Sequence, residues 1–449
     1  MYAWIDAQRR LNAMLFAQSP QGSAERAGTP RRPPFMLPGY DWLSRLLMPP
    51  DDPPTFDIAS VQIGDSTVPV SETIVEADPF CTLRHFAREI HTDLAPVLLC
   101  APLAGHHAVI LRQTVETLLG SRDVYVTDWV DARDVPLSAG GFGLDDDVRL
   151  LARFLARLGG PDLHVVAICQ AAAPALAALA LRAADGEPAP RSLTIVGGPI
   201  DTHPNPTLVD DFARSCSIEW LRDALTDTVP APYAGAGRRV LPGYLQHLCL
   251  LAANPWSQLA AEARCWSHYV ADDDANPAGK LQTLADRAAV LDMDAAYFLE
   301  TVQTIFRENR LAMRTWRVDG RLVPVDAITR TALFTIEAGF DRITGAQQTH
   351  AAHRLCTGVP PSMRQWLTVP GCDHYGLFNG PHWQREVFPA LAAFWDRLEA
   401  RDGRDAPAPP RSKQATRATR ETGGIAGTGA LRRRASGTGR RDAPRPGSG

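Results

Sequence analysis

Thirteen consecutive residues decide the fold of this chain: Asp162-Leu163-His164-Val165-Val166-Ala167-Ile168-Cys169-Gln170-Ala171-Ala172-Ala173-Pro174. The apolar run from Val165 to Ile168 predicts a buried strand of a parallel sheet, and the alanine-rich run that follows predicts a helix. A strand that passes directly into a helix leaves its junction residue on a sharp turn above the sheet edge, which is the geometry of a nucleophile elbow. Here the junction residue is a cysteine, in the pattern Ala167-x-Cys169-x-Ala171.

Strands and helices alternate on both sides of this stretch. Continuous apolar strands separated by helices are typical of a parallel sheet that is covered on both faces. The order therefore predicts an α/β fold, with an α/β-hydrolase-like, mostly parallel sheet and helices on both faces. The other predicted strands lie at 97–101, 124–127, 193–196, 331–336 and 364–369, and the other main helices at 108–119, 145–158, 347–355 and 383–398.

The alternation divides the chain into four parts. An N-terminal helix and proline-rich arm is expected at 1–55, and the α/β core at 56–202 and 326–400. Between the two halves of the core, residues 203–325 have a helical, aromatic-rich pattern that predicts an inserted helical lid. Residues 401–449 predict a disordered basic tail. Its run Arg432-Arg433-Arg434 could touch nucleic acid or an anionic surface, but a solvated disordered end is preferred, so we expect no nucleic-acid partner.

Composition argues against several classes of protein. The 449 residues include no apolar run of about 18 residues, which a membrane-spanning helix needs, and Asp6, Arg9 and Arg10 stand where a secretory signal would be apolar. The eight cysteines are scattered without a C-x-x-C pair, which favours reduced thiols and no zinc site. No glycine-rich phosphate loop is present. We therefore predict a cytoplasmic protein with no membrane span, no metal and no cofactor.

Two loops that follow later strands carry the residue types that a cysteine nucleophile needs. In hydrolases of this fold the nucleophile, the acid and the histidine occur in that order along the chain. Asp341 follows the strand at 331–336, and His374 follows the strand at 364–369. We predict that Cys169 attacks the substrate, that His374 takes its proton, and that Asp341 holds the imidazole in the required tautomer.

Two other acidic residues compete with Asp341 for this role. Glu337 lies directly at the end of its strand, and Asp373 is adjacent to the histidine in sequence. Both positions are too close for the expected orienting hydrogen bond, so Asp341 is preferred, with loop geometry as the criterion.

Acyl transfer also requires hydrogen-bond donors for the developing oxyanion. One donor is expected to be the backbone N–H of Gln170, which follows the nucleophile. The second is expected from the loop after the strand at 97–101, at Leu103 or Ala104. Gly105, the next residue, permits an unusual backbone there.

With these residues in place, the sequence resembles the intracellular polyhydroxyalkanoate (poly-3-hydroxybutyrate) depolymerases, from residue 1 to about 398. The resemblance implies a triad of Cys169, Asp341 and His374. It also implies hydrolysis of amorphous storage polyester through an acyl-enzyme, which releases 3-hydroxybutyrate oligomers and monomer. The implied partner is the polymer or its granule in the cytoplasm. Six stretches carry the resemblance: APLAGHH (101–107), DVYVTDWVDAR (123–133), CQ (169–170), GGPIDT (197–202), PGYLQ (242–246) and HYGLFNG (374–380).

Three residues of these motifs, His106, Trp129 and Tyr375, are predicted to contact substrate, although His106 could equally be a polar end of its loop. An extended apolar polymer also needs aromatic area near the cleft. Most aromatic residues of 203–325 are expected in the core, with one or two facing the cleft. The candidates are Trp220, Tyr233, Tyr244, Trp256, Trp266, Tyr269 and Trp316.

Two other functions stay open at this stage. A polyester synthase-like acyltransferase would share the fold and the triad, but such enzymes usually carry glycines around the cysteine, where this chain has Ala167 and Ala171. A non-catalytic granule-associated protein would not need Cys169, Asp341 and His374 to converge. Oligomeric state and the acyl acceptor, water or a thiol such as coenzyme A, are not predicted.

Overall fold

A computed structural model describes Tyr2, residues 55–90, 92–253, Asp286 and 289–405. Most of the predicted N-terminal arm and of the basic tail therefore lies outside the described residues. The same holds for three of the candidate aromatics, Trp256, Trp266 and Tyr269.

The described residues form one large sheet and two small ones. The nine strands of the large sheet run in the order β1-β2-β3-β5-β4-β6-β7-β13-β14, β8 to β10 form the second sheet, and β11 pairs with β12. The bounds are β1 (Ser60–Ile63), β2 (Ser66–Ala77), β3 (Cys81–Arg88), β4 (Val97–Cys100), β5 (Val124–Trp129), β6 (His164–Ile168), β7 (Ser192–Val196), β8 (Asp227–Thr228), β9 (Arg239–Leu241), β10 (Met293–Asp294), β11 (Arg317–Val318), β12 (Arg321–Leu322), β13 (Ala332–Ala338) and β14 (Arg364–Val369).

The large sheet is antiparallel from β1 to β5 and parallel from there to β14. Strands β4, β6, β7 and β13 are buried at every position, so both faces of the sheet are covered in its centre. The chain passes from β4 outward to β5 and then returns to place β6 on the other side of β4. Such a reversal opens a crevice beyond the carboxyl ends of the strands. The predicted α/β-hydrolase-like, mostly parallel sheet is confirmed.

Helices connect these strands. The α-helices are α1 (Arg112–Leu119), α2 (Leu144–Leu158), α3 (Ala172–Ala184), α4 (Leu208–Ser215), α5 (Ile218–Leu225), α6 (Gly243–Ala253), α7 (Ala295–Thr301), α8 (Ala352–Leu355), α9 (Gly380–His382) and α10 (Phe388–Asp405). Two π-helical stretches lie at Val302–Arg307 and Trp383–Val387. The 3₁₀ turns are Ala108–Leu111, Ala132–Asp134, Leu137–Ala139, Cys169–Ala171, Val325–Ala327, Pro361–Met363 and Tyr375–Leu377. Within the described ranges, no helix is both long and apolar enough to cross a membrane.

The helix predicted at 347–355 is shorter than expected, because α8 begins only at Ala352. Gln347 has a positive φ of 70°, which is outside the helical region. The backbone N–H groups of Gln347, Thr349 and His350 donate to the Glu337 carboxylate at 2.8–2.9 Å. The chain wraps around this buried carboxylate before the helix begins.

The segment predicted as a helical lid, 203–325, contains helices α4 to α7 and also strands β8 to β12. In the sequence it lies between β7 and β13, which are neighbours in the large sheet. Residues 254–285 lie outside the described ranges. The segment is therefore an insertion of mixed structure, and its action as a lid stays a prediction.

Candidate active site

The turn after β6 holds Cys169 in a strained conformation. Its φ is 52°, a left-handed value that a residue with a side chain rarely adopts, and strain of this kind concentrates at functional sites. Helix α3 follows within one turn. Gly198, after β7, leaves room for this helix, since a Cβ there would lie 2.1 Å from the Cβ of Ala172 and 2.9 Å from the Cys169 carbonyl oxygen. The strand–turn–helix predicted around Cys169 is present.

The loops after β13 and β14 bring Asp341 and His374 together. His374 Nδ1 lies 2.7 Å from Asp341 Oδ2, and both side chains are buried. Because a carboxylate only accepts hydrogen bonds, Nδ1 carries the ring proton and Nε2 is left for the nucleophile. The second carboxylate oxygen of Asp341 accepts from the backbone N–H groups of Ile343 and Thr344 at 2.8 and 2.9 Å. The acid is thereby held in one orientation.

His374 and Cys169 line one small cavity, and the Cys169 side chain is near enough to act on the imidazole. Burial of the ring opposes its charged form, but the Asp341 carboxylate and the Cys169 sulfur together raise the pKa of His374 well above its ordinary value. An imidazolium beside the sulfur is the charged partner that a thiolate nucleophile needs. The Cys169, His374 and Asp341 side chains therefore lie together at this edge of the sheet.

The two competing acids have other partners. Glu337 is buried, and its oxygens accept the three backbone N–H groups described above, after β13. Asp373 accepts from the backbone N–H of Gly376 at 2.8 Å and so closes its own turn. Asp341 is the acid whose hydrogen bond to His374 the structure shows.

Of the three residues predicted to supply oxyanion donors, Ala104 and Gln170 lie at the candidate site and Leu103 does not. Ala104 and Gln170 line a cavity of about 140 Å³ that also contains Cys169 and His374. Leu103 is buried and is not among the described residues that line this cavity. Its carbonyl accepts from Gly105 N–H at 2.7 Å, in a tight turn where Gly105 has a φ of 79°. The turn therefore presents Ala104, and not Leu103, beside Gln170.

Two of the three predicted substrate contacts reach the same cavity. His106 and Tyr375 both line it, with their rings edge to face at 6.5 Å. Trp129 is different: it is 3% exposed, and its indole N–H donates to the carbonyl of Ala101 at 2.8 Å. That N–H is the only polar group of the side chain and is already bonded, and Trp129 is not among the described residues that line either cavity. The structure places it in the core, which corrects the predicted contact.

A second and larger cavity, of about 650 Å³, adjoins the first. The walls of the two have Ala104, Gln170, Val209, Thr301 and Phe306 in common. The larger cavity is lined mainly by apolar side chains, among them Phe212 and Phe298, which sequence reasoning did not single out. Nothing in their spacing distinguishes them from core residues.

The candidate aromatics that can be described do not line either cavity. Trp316 and Tyr244 are buried, and Tyr233 lies under the guanidinium of Arg133 at 5.1 Å. Trp220 is 49% exposed and reaches the larger cavity only indirectly, through an edge contact of 6.1 Å with Phe212. In the described ranges, no group of three or more His, Cys, Asp or Glu is arranged to hold a metal ion.

Solved structures of low sequence identity resemble this chain. A monoacylglycerol lipase from Paleococcus ferrophilus is 14% identical, with a TM-score of 0.42 over 68% of this chain and 94% of that one. A carboxylesterase of Nitrososphaera gargenis is 11% identical, with a TM-score of 0.41 over 75% and 99%. A bromoperoxidase from Bacillus anthracis is 10% identical, with a TM-score of 0.41 over the same shares.

Comparison with curated proteins gives no match at a significant level. Comparison with family models gives one, described as PHB de-polymerase C-terminus, over residues 197–399. This range holds Asp341 and His374 and begins just after β7. The match supports a hydrolase that acts on esters. Residues 197–399 are therefore similar to the C-terminal part of the PHB de-polymerase family.

Proposed function

We propose that this chain hydrolyses the ester bonds of amorphous poly-3-hydroxybutyrate, or a closely related polyhydroxyalkanoate, at cytoplasmic storage granules. The observation that carries the proposal is the contact of His374 with both Asp341 and Cys169, with Cys169 on a strained turn between strand and helix. The family match over residues 197–399 supports the polyester as substrate.

The first half of the reaction forms an acyl-enzyme. The Cys169 thiolate attacks the ester carbonyl carbon, and the backbone N–H groups of Gln170 and Ala104 receive the developing oxyanion. As the carbon–oxygen bond breaks, His374 gives its proton to the departing alkoxide, which leaves as an alcohol. Asp341 keeps the ring in position and stabilises its charge.

The second half of the reaction releases the acyl group. Neutral His374 takes a proton from a water molecule, which attacks the thioester carbonyl. The carbon–sulfur bond then breaks, the carboxylic acid leaves, and Cys169 returns as a thiolate beside the imidazolium. We infer that the described parts of residues 203–325 cover the site as a lid during these steps, since α4 and α7 contribute walls to the cavity of Cys169.

Clearing of native, amorphous granules by the purified full-length protein tests this function. Wild type is expected to lower the turbidity and to release 3-hydroxybutyrate oligomers, whereas Cys169→Ala is expected to do neither. The matched control is Cys216→Ala, a half-buried thiol outside both described cavities, which is expected to behave as wild type. If Cys169→Ala kept more than about a tenth of the wild-type rate, the covalent mechanism would be wrong.

The acyl acceptor is tested in the same preparation. Adding coenzyme A to the granule assay distinguishes water from a thiol, because transfer to the thiol would consume it and yield hydroxyacyl-CoA. We expect the free acid to form at the same rate with and without coenzyme A. Sedimenting the granules and measuring the protein that sediments with them tests the proposed location.

A further inference from the structure

We infer that the cavity of about 650 Å³ is the acyl-side binding site of the enzyme and that it accepts medium-length acyl chains, well beyond the four carbons of a hydroxybutyrate unit. The inference rests on the proposed function, since it assigns parts of an ester to the two cavities. It concerns the size of the acyl group, which neither the triad nor the family match specifies.

The two cavities meet at the proposed oxyanion donors. Ala104 and Gln170 belong to the walls of both, whereas Cys169 and His374 line only the smaller one. A carbonyl oxygen bound between Ala104 and Gln170 therefore lies at the junction. One substituent of that carbonyl must point into the smaller cavity and the other is free to enter the larger one.

The position of His374 determines which part of the ester, alcohol or acyl, lies in each cavity. It must protonate the departing alkoxide, so the alcohol part of the ester lies on its side, in the smaller cavity with Tyr375 and Phe378. That cavity holds about 140 Å³, whereas pockets that enclose a whole drug-sized ligand measure roughly 300–1,000 Å³. The acyl part is left with the larger cavity, which is within that range.

The walls of the larger cavity suit a hydrocarbon chain. Leu225, Met293 and Val302 line it together with the phenylalanines already named. Asp211, the one charged residue among its described lining residues, is largely exposed and pairs with Arg214 at 3.9 Å. Leu208 and Phe212 line it too and are 64% and 42% exposed, so the cavity opens to solvent at α4. A chain longer than the cavity could therefore extend outward.

The test is a series of p-nitrophenyl esters from butanoate to decanoate, assayed with the full-length protein. The leaving group is constant in this series, so only the acyl part varies. Each buried methylene is expected to raise kcat/KM about fourfold. We expect octanoate to exceed butanoate by at least about tenfold, since four fully buried methylenes would give considerably more.

Two substitutions narrow the larger cavity without touching the smaller one. Ala213 lines only the larger cavity, and Ala213→Phe is expected to lower the octanoate-to-butanoate ratio of kcat/KM at least about tenfold. Val302→Phe provides an independent second variant at the same cavity if the first fails to fold. Met313→Phe is the matched control, because Met313 is 59% exposed and lines neither cavity, and its ratio is expected to equal that of wild type.

The outcomes separate the inference from the function. A flat length profile in a wild type whose hydrolysis depends on Cys169 would overturn the inference and leave the function standing. The inference would also fail if both folded variants kept the wild-type ratio within about twofold. Absence of any hydrolysis that depends on Cys169 would overturn the function, and the inference with it.

Discussion

Replacing Asp341 by Asn changes the tautomer and the charge of His374 but leaves the surrounding loop in place. One oxygen of the side chain remains, so it can still accept the N–H groups of Ile343 and Thr344 that hold the loop. The new NH₂ group then faces His374 Nδ1, which lies 2.7 Å from the carboxylate in the native protein. An amide donor forces Nδ1 to accept, which places the ring proton on Nε2, toward the sulfur. His374 can then no longer take the proton of Cys169.

The expected loss of activity has two causes: the wrong tautomer of His374 and the loss of the Asp341 charge beside it. The same substitution in a Ser-His-Asp triad lowers kcat about 10⁴-fold, through the wrong tautomer. Here the Asp341 charge also raises the pKa of His374, so its loss lowers the fraction of imidazolium at neutral pH. We therefore expect kcat/KM to fall about 10³- to 10⁴-fold, which is roughly 4–5.5 kcal/mol of transition-state stabilisation.

The assay is kcat/KM on p-nitrophenyl butanoate from pH 5 to pH 9, with granule clearing in parallel. Asp373→Asn is the matched control, because it makes the same change one residue from His374, and its remaining oxygen can still accept from Gly376. We expect it to stay within about threefold of wild type, since surface-turn changes that keep their hydrogen bond are mild. An Asp341→Asn variant within tenfold of wild type, or an Asp373→Asn variant as impaired as Asp341→Asn, would refute the assignment of the acid.

Three further predictions concern the fold around the site. Burial raises the pKa of Asp147 from an ordinary 3.8 to about 7. Between these pH values the folded protein keeps a proton that the unfolded chain releases, so the free energy of unfolding should fall as the pH rises. Asp147→Asn should remove this slope, of at most about 1.4 kcal/mol per pH unit, in urea unfolding measured from pH 4 to pH 8. Gly198→Ala should cost about 1–3 kcal/mol and reduce activity, because its Cβ would lie 2.1 Å from that of Ala172; unaltered melting and activity would contradict the packing of the elbow. Trp316 is 2% exposed, and Trp316→Ala should lower the free energy of unfolding by about 3–5 kcal/mol. Trp220 is 49% exposed, and Trp220→Ala should lower it by less than about 1 kcal/mol. Equal losses would show that Trp220 is buried in solution.

Several features of this protein could be predicted from local sequence pattern. The strand and helix around Cys169, and the other main strands of the parallel part of the sheet, follow from apolar runs. The strand runs are too short for a helix, and a parallel sheet buries such runs on both faces. Asp341 and His374 could be chosen because both follow a strand, and the carboxyl ends of parallel strands meet at one edge of the sheet.

Other features depend on which groups meet in three dimensions. Glu337 has the same chemistry as Asp341, and only its three bonds to the chain after β13 show that it is already satisfied. Those bonds also delay the start of α8, against the helical pattern of its sequence. Trp129 belongs to a motif that suggests substrate contact, but its N–H is taken by a backbone carbonyl.

The division has a physical reason. Sequence by itself determined the main strands of the parallel sheet and the residue types at their ends, because backbone geometry and burial of apolar faces act over a few neighbouring residues. Tertiary structure alone decided the partner of each buried polar group, because a hydrogen bond needs two atoms within about 3 Å and those atoms come from distant parts of the chain. It also decided the volumes of the two cavities, which are what remains after side chains such as Phe212, Phe298 and Phe306 have packed.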